Sequence, residues 1–357
     1  MKIEAKLAPL REQIDKIDDE ILALLDKRMR VVSEVGALKQ REKVAIYHPK
    51  RENEILRRLC NAGAKHIAQN AIKSIYGEIF ASARLLELPE RVAYLGPLGS
   101  FTHQVALERF GKASEYVSAA NIEQIFKLVE NGSVKYGVIP IENNSNGIVG
   151  ESLDFLSTYS AKIIAESALP IHHCLASNEK LLKNIKKIYS KDVAFGQCRE
   201  FLENYSLQSV ELIPLDSTAK AAKVAANEKN SAAICAKVAA DMFELPIMFE
   251  NIQDNSQNVT RFFIISNFKT PPSGDDKTSF CAFIHNSNKP GTLVKLLNEF
   301  ESANINLVKL ESRPLKLNCG FHFWFYMELE GHIDDAHIAE IFARKGEILK
   351  WLGSYAK

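Results

Sequence analysis

Long apolar runs are missing from this 357-residue chain: no stretch approaches the roughly 20 residues that a membrane-spanning helix needs. The segment Met1 to Ile14 alternates charged and apolar residues and has no signal-peptide core, which points to a cytoplasmic protein. Net charge is missing too. Lys and Arg number 45 against 44 Asp and Glu, leaving +1, so no global field gathers nucleic acid or an anionic membrane. Any cationic site must therefore be local. Cys60, Cys174, Cys198, Cys235, Cys281 and Cys319 are scattered without a C-x-x-C pair, and they read as reduced, mostly buried thiols with no metal role. What remains is an ordinary globular composition, 46% hydrophobic and 25% charged, long enough for two or three domains.

Three segments differ in periodicity. Before Pro89, proline and glycine are sparse. Leu10, Ile14, Ile17, Ile21, Leu24, Val32, Val35 and Leu38 keep the 3–4 spacing of one long helix. A second helix starts near Pro49, and a third covers about Ile67 to Leu88 after the break at Gly63. A first helix of about 30 residues cannot bury its stripe in so small a hairpin, so an intertwined homodimer is expected. From Arg91 to about Phe268, short apolar strands alternate with helices, predicting an α/β unit of two lobes with a cleft. Asn267 to Lys277 is a linker by composition. Beyond it, residues 278–357 read βαββαβ, the α+β ferredoxin-like order.

Charged residues interrupt the helical stripes. Arg28 stands between Leu24 and Val32, and Lys39 lies about three turns further on nearly the same face. Glu52 falls in register with Ile55, Leu56 and Leu59, and Glu87 with Ile75, Ile79 and Ala83. A buried charge must be paired or must face a ligand. The four form either an interhelical salt-bridge network or a pocket for a small dianion. Arg11 is roughly 100° around the helix from Arg28 and would reach such a pocket only from a partner chain.

In the α/β segment, polar clusters stand at strand ends, where open α/β folds hold ligands: Gly96 to Phe101, Pro140 to Gly147, Asp216 to Ala219 and Asn258 to Phe262. Taken singly, each has a bland reading as a turn, a solvated loop, a helix cap or a strand start. The neighbouring His172 and His173 would face opposite sides of an extended segment, which disfavours a shared metal.

The residues carry three resemblances. Leu10-Arg11-Glu12-Gln13-Ile14-Asp15-Lys16-Ile17-Asp18, Leu25-Asp26-Lys27-Arg28, Val35-Gly36-Ala37-Leu38-Lys39 and Arg51-Glu52 resemble the all-helical chorismate mutase family across residues 1–90. That resemblance implies an intertwined dimer converting chorismate to prephenate. It assigns Arg11 of the other chain and Arg28, with Arg51, to the carboxylates, Lys39 and Glu87 to the ether oxygen, and Glu52 to the ring hydroxyl. His48 and Ala83 would complete the pocket, in positions where the family commonly has Asp and Ser. A Glu at position 87 donates only when protonated, which implies mutase turnover that falls as pH rises. The middle clusters, with Leu169-Pro170-Ile171-His172-His173-Cys174-Leu175, Gln197-Cys198-Arg199 and Asn251-Ile252-Gln253-Asp254, resemble prephenate dehydratase over residues 91–268. This implies a two-lobed, periplasmic-binding-protein-like fold with prephenate in the cleft. Thr260 would assist departure of the hydroxyl, Arg261 would hold a carboxylate, and Ser100, Asn143, Asn144, Ser217 and Thr218 would line the site. Asn144-Ser145-Asn146 and Lys191-Asp192-Val193 depart from the family pattern.

Asn288-Lys289-Pro290-Gly291-Thr292-Leu293 and Glu311-Ser312-Arg313-Pro314 resemble the ACT regulatory domain of the phenylalanine-sensing type. That implies L-phenylalanine bound at a dimer interface by Gly291, Leu293, Glu311, Ser312 and Arg313. Together these imply a bifunctional, feedback-inhibited enzyme that is at least a homodimer, with no metal or organic cofactor. The rivals are a dehydratase that prefers arogenate and a catalytically inactive amino-acid-binding protein.

Overall fold

The helical spacing becomes three helices, α1 (Glu4–Arg41), α2 (Pro49–Ala62) and α3 (Gln69–Glu87). The structure, a computed structural model, describes residues 4–41, 49–62, 65–87, 91–111, 114–284, 289–315 and 322–357. The chain divides into two compact units, residues 1–90 with 110–114, and the rest. In the helical unit, α3 buries Ile72, Phe80, Ala81 and Ala83. The stripe of α1 is left uncovered: Leu10, Ile14, Ile17, Ile21, Leu24 and Leu38 are 50–65% exposed. One copy of the unit therefore does not bury the apolar residues that define its longest helix.

In the second unit the short apolar segments form two lobes. The first lobe holds β1 (Arg91–Leu95), α4 (Phe101–Phe110), β2 (Glu115–Ala119), α5 (Ile122–Glu130), β3 (Tyr136–Asn143), β4 (Gly147–Ile148), α6 (Gly150–Thr158) and β5 (Lys162–Pro170). The second holds β6 (Cys174–Ala176), β7 (Lys187–Ser190), α7 (Asp192–Gln197), α8 (Arg199–Asn204), β8 (Glu211–Pro214), α9 (Thr218–Ala225), β9 (Ser231–Cys235), α10 (Lys237–Met242) and β10 (Ile247–Phe249). The chain then returns to the first lobe as β11 (Val259–Ser266). The sheets run β2-β1-β3-β11-β5, with β4 beside β3, and β10-β6-β9-β7-β8. Both are mixed: β1 is parallel to β2 and β3 whereas β11 is antiparallel to β3 and β5, and β9 is parallel to β7 but antiparallel to β6. The two segments that cross between lobes are tied together, Ile171 N–H donating to Asn258 O at 2.8 Å and Ile252 N–H to His173 O at 3.0 Å.

The C-terminal part contains β12 (Asp276–Ala282), α11 (Thr292–Ser302), β13 (Leu307–Leu315), β14 (His322–Glu330), α12 (Ala336–Lys345) and β15 (Leu349–Ala356), in an antiparallel sheet ordered β13-β14-β12-β15. One face packs Phe280, Met327, Leu329 and Leu349 against Leu296 and Phe300 of α11 and Ile338 and Ile341 of α12. The other face does not meet solvent. Cys281, Trp324, Tyr326, Leu352 and Tyr355 join Ile163, Phe263 and Ile265 in the core of the first lobe. Gly353 makes the approach possible: a Cβ there would lie 2.1 Å from the Ile163 carbonyl oxygen.

The linker expected at Asn267 to Lys277 is thereby corrected. Thr270 is buried and donates its hydroxyl to Ser354 O, and Asp276, also buried, accepts from the N–H groups of Ser273 and Gly274 at 2.7 and 3.1 Å. A segment of turn-forming composition is held down because the sheet it leads into is buried on both faces. Among the described residues, no helix is long and apolar enough to cross a membrane.

Candidate functional site

In the helical unit, Arg28 is partly buried on α1. Its Cζ sits 5.6 Å from the centroid of the Phe80 ring, one turn before Ala83 on α3. Its Nη1 is buried without a hydrogen-bond partner. A guanidinium left in that condition is suited to an incoming anion. Glu52 is partly buried on α2; Arg51 is exposed and pairs with Glu54 at 3.2 Å. Arg11 lies in the exposed N-terminal half of α1, far along the helix from Arg28. Lys39 and Glu87 are placed as backbone positions of α1 and α3, and His48 lies outside the described residues.

Between the lobes lies a cavity of about 370 Å³, lined by Ser100, Phe101, Asn143, Asn146, His173, Lys191, Gln197, Ser217, Thr218, Asn258 and Thr260 among others. Five of the residues expected from sequence meet here: Ser100, Asn143, Ser217, Thr218 and Thr260. Most of the wall comes from strand ends and helix starts, because those are the places where an α/β fold leaves backbone groups unpaired. Ser100 opens α4, accepting from the His103 N–H at 3.2 Å while donating to Leu95 O at 2.8 Å. Ser217 caps α9, accepting from the Lys220 N–H at 3.1 Å. Two helix N-termini favour anions in the cavity, whose lining includes one cationic residue, Lys191, and one acidic residue, Asp216.

Five hydrogen bonds hold the Asn143 side chain. Its Oδ1 accepts from the N–H groups of Ser145 (3.0 Å) and Asn146 (2.9 Å), which fixes the orientation of the amide. Its Nδ2 therefore donates, to Asn258 Oδ1 at 2.7 Å, Val259 O at 3.2 Å and Thr260 Oγ1 at 2.9 Å. With Thr260 Oγ1 accepting from Asn143, its own O–H is left to donate to another group. Asn144 has a different task. It extends the β3–β11 ladder, donating to Gln257 O at 2.6 Å and accepting from Val259 N–H at 3.0 Å, and it is not part of the cavity wall.

Arg261 requires a correction. Thr260 and Arg261 are adjacent in β11, so their side chains leave on opposite faces. The guanidinium lies away from the cavity, bonded to Glu166 Oε2 at 2.6 Å and to both oxygens of Glu328 at 2.8 Å. Burial works against its charge, but the bonds to Glu328 and the field of Glu166 more than offset this and leave it more firmly protonated than usual. It is already held by carboxylates of its own chain and does not reach a cleft-bound one.

His173 is a cavity residue that the sequence reading weighed only as a metal ligand. It is buried, and its Nε2 sits 2.9 Å from Gln197 Oε1, while its Nδ1 has no partner. Burial lowers its basicity despite the bond to Gln197, so the ring is held neutral. The signal was present in the motifs around His173 and Gln197, which the fold brings together. His172 turns the other way, to the solvent side, and bonds Gln253 at 2.8 Å. Among the described residues, no group of three His, Cys, Asp or Glu is placed to hold a metal.

The C-terminal motifs are in separate places within one chain. Gly291, at φ +79°, precedes α11, and Leu293 packs on the core beneath that helix. Glu311, Ser312 and Arg313 lie in the edge strand β13. Ser312 faces outward, whereas Arg313 reaches to α6, bonding Asp154 at 3.0 Å above Gly150.

Comparison with known proteins identifies two segments of the chain. The family model for chorismate mutase type II matches residues 10–88, and that for prephenate dehydratase matches residues 92–270. A bifunctional chorismate mutase/prephenate dehydratase of Aquifex aeolicus is 38% identical over 99% of this chain and 98% of that relative. One from Pseudomonas aeruginosa is 36% identical over 100% of this chain and 99% of its own. Among solved structures, a prephenate dehydratase of Arthrobacter aurescens in complex with L-Phe is 32% identical. The match covers 75% of this chain and 90% of that one, with a TM-score of 0.67.

Proposed function

This chain belongs to the bifunctional chorismate mutase/prephenate dehydratase family, and from that premise we propose how its residues divide the two reactions. It converts chorismate to prephenate and prephenate to phenylpyruvate. In the helical unit, Arg28 binds a carboxylate of chorismate with its unpartnered Nη1. Arg11 of a second copy, Arg51, Lys39, His48, Glu52, Ala83 and Glu87 complete the pocket. The pericyclic step needs no nucleophile; it gains from confining a compact conformer and from donors aimed at the breaking ether. The uncovered stripe of α1 supports an intertwined homodimer.

In the dehydratase cleft, the observation that carries the reading is the Asn143–Thr260 pair. Asn143 leaves the Thr260 hydroxyl free to donate, and that hydroxyl bonds the departing ring hydroxyl of prephenate. Aromatisation and loss of carbon dioxide supply the driving force. Lys191 and the starts of α4 and α9 hold the carboxylates, a role Arg261 does not take. The division into residues 1–90, 91–268 and 278–357, with an ACT regulatory domain last, goes with this reading. L-phenylalanine acts there as a feedback inhibitor, through Gly291, Leu293, Glu311, Ser312 and Arg313 at an interface between copies. Its support is the L-Phe complex of the Arthrobacter aurescens relative.

The test is incubation with chorismate, following phenylpyruvate with and without L-phenylalanine. Phenylpyruvate formed from chorismate and suppressed by phenylalanine is expected; prephenate accumulating as the end product would refute the dehydratase assignment.

A further inference from the structure

The register of β3 against β11 pairs Asn143 with Thr260 and, one step along, Glu142 with Arg261. One pair faces the cleft. The other faces the C-terminal sheet, where three cations and three carboxylates interlock. Arg261 bonds Glu166 and Glu328 and stands 3.7 Å from Glu142. Lys277 reaches Glu166 at 2.7 Å and Glu328 at 3.5 Å, and Lys309 reaches Glu142 at 2.5 Å. Tyr326 donates to Glu328 Oε1 at 2.8 Å, completing its partners. Every member is largely withdrawn from solvent, with side-chain exposures from 2 to 30%. The charges balance among themselves, so nothing in the cluster calls for a ligand.

We propose that Arg261 is a positioning residue for dehydration. It anchors the backbone under Thr260 to Glu328 of β14, while Lys309 of β13 anchors the backbone under Asn143 through Glu142. The two donors of the cleft are thereby set in register by the C-terminal sheet. In a strand the two side chains stand on the Cα atoms at either end of one planar peptide, so an anchor on one restrains the backbone that bears the other. Displacement of a reacting group by about 1 Å can lower turnover about a hundredfold, so an anchor one residue away suffices to matter. The strand that bears Lys309 also bears Glu311, Ser312 and Arg313, so an event at those residues has a direct mechanical route to Asn143.

This inference rests on Thr260 acting on prephenate, so Thr260→Val is measured beside Arg261→Met, Arg261→Lys, the doubly neutral Arg261→Met/Glu328→Gln, and Lys309→Met in the full-length protein. Each is followed by kcat and KM for prephenate, with mutase turnover and thermal melting as controls on integrity. The double variant removes both buried charges together, so it avoids the unpaired carboxylate that the single one leaves. Expected for Arg261→Met and the double variant is a kcat lowered at least about tenfold, with KM within about threefold of wild type. Lys309→Met should show a smaller fall of the same kind, and Arg261→Lys a partial return. A KM raised about tenfold or more at unchanged kcat overturns the proposal in favour of direct substrate binding by Arg261. Unchanged kcat in the folded double variant and in Lys309→Met, with Thr260→Val inactive, overturns the proposal and leaves the site intact. Full turnover in Thr260→Val overturns both.

Discussion

Replacing Asn143 by Asp changes one NH₂ to one oxygen, and the structure says what that reverses. The surviving Oδ1 still accepts from Ser145 and Asn146. The new oxygen, however, meets three acceptors, Asn258 Oδ1, Val259 O and Thr260 Oγ1, within 3.2 Å. Val259 O has no proton to offer, and Asn258 would have to turn its whole amide over. Thr260 need only rotate its hydroxyl about one bond. It then points that hydroxyl at the introduced carboxylate and away from the substrate. Losing one donor aimed at developing charge lowers kcat by about 10²–10³, or about 2.7–4 kcal/mol. A negative charge in a cleft that binds a dianion adds to that. The stability loss is separate and smaller, about 1–3 kcal/mol for the abandoned contacts. In a spectrophotometric assay of phenylpyruvate, Asn143→Asp should therefore be folded, mutase-active and nearly dead as a dehydratase. Its residual activity should rise as pH falls, since a protonated carboxyl regains a donor. Activity within about tenfold of wild type at neutral pH would refute the argued direction of the Thr260 hydroxyl.

Other outcomes follow from the same geometry. Arg28→Met should remove mutase turnover by at least about two orders of magnitude while dehydration of supplied prephenate continues, because the Arg28 Nη1 is buried and unpartnered; retained mutase activity refutes its role. Gly353→Ala forces a Cβ to 2.1 Å from the Ile163 carbonyl oxygen and should destabilise the second unit by about 1–3 kcal/mol, several degrees in Tm; an unshifted melt refutes the close packing of β15 on β5. His103 and His173 are both made less basic by burial, so as pH falls the unfolded chain takes up their protons first, at about pH 6.5. Stability is full above that value and falls as pH drops through it toward the lowered folded values. The urea midpoint should therefore decrease from mildly alkaline to mildly acidic pH, and less so in His173→Asn; equal decreases refute the contribution of His173.

The helices were legible because their apolar spacing is regular, as in Leu10 to Leu24, and the strands because they are short apolar runs such as Val92 to Leu95. The cleft was legible as polar clusters at strand ends. Arg261 was misassigned for a reason within reach of sequence alone: beside an inward Thr260, a strand sends its neighbour to the other face. The docking of the C-terminal sheet was hidden by its composition. Phe280 and Cys281 are adjacent and both fully buried, a mark of a strand covered on two sides, yet such a run also suits a strand covered on one side with a few apolar residues exposed. The partners that tell these apart, Ile163 and Phe263, stand far earlier in the chain.

That distance bears on how the protein is made. Phe263 is covered by Tyr355, the two rings 5.6 Å apart, and Tyr355 is synthesised long after the rest of the first lobe. The first lobe cannot close its core until β15 has left the ribosome, and until then its apolar face stays open. The helical unit draws almost all of its residues from before Pro89, with only residues 110–114 added, and is under no such delay. Nascent chains arrested before β15 should thus be sensitive to protease in the first lobe, and dehydratase activity should mature later than the fold of the helical unit.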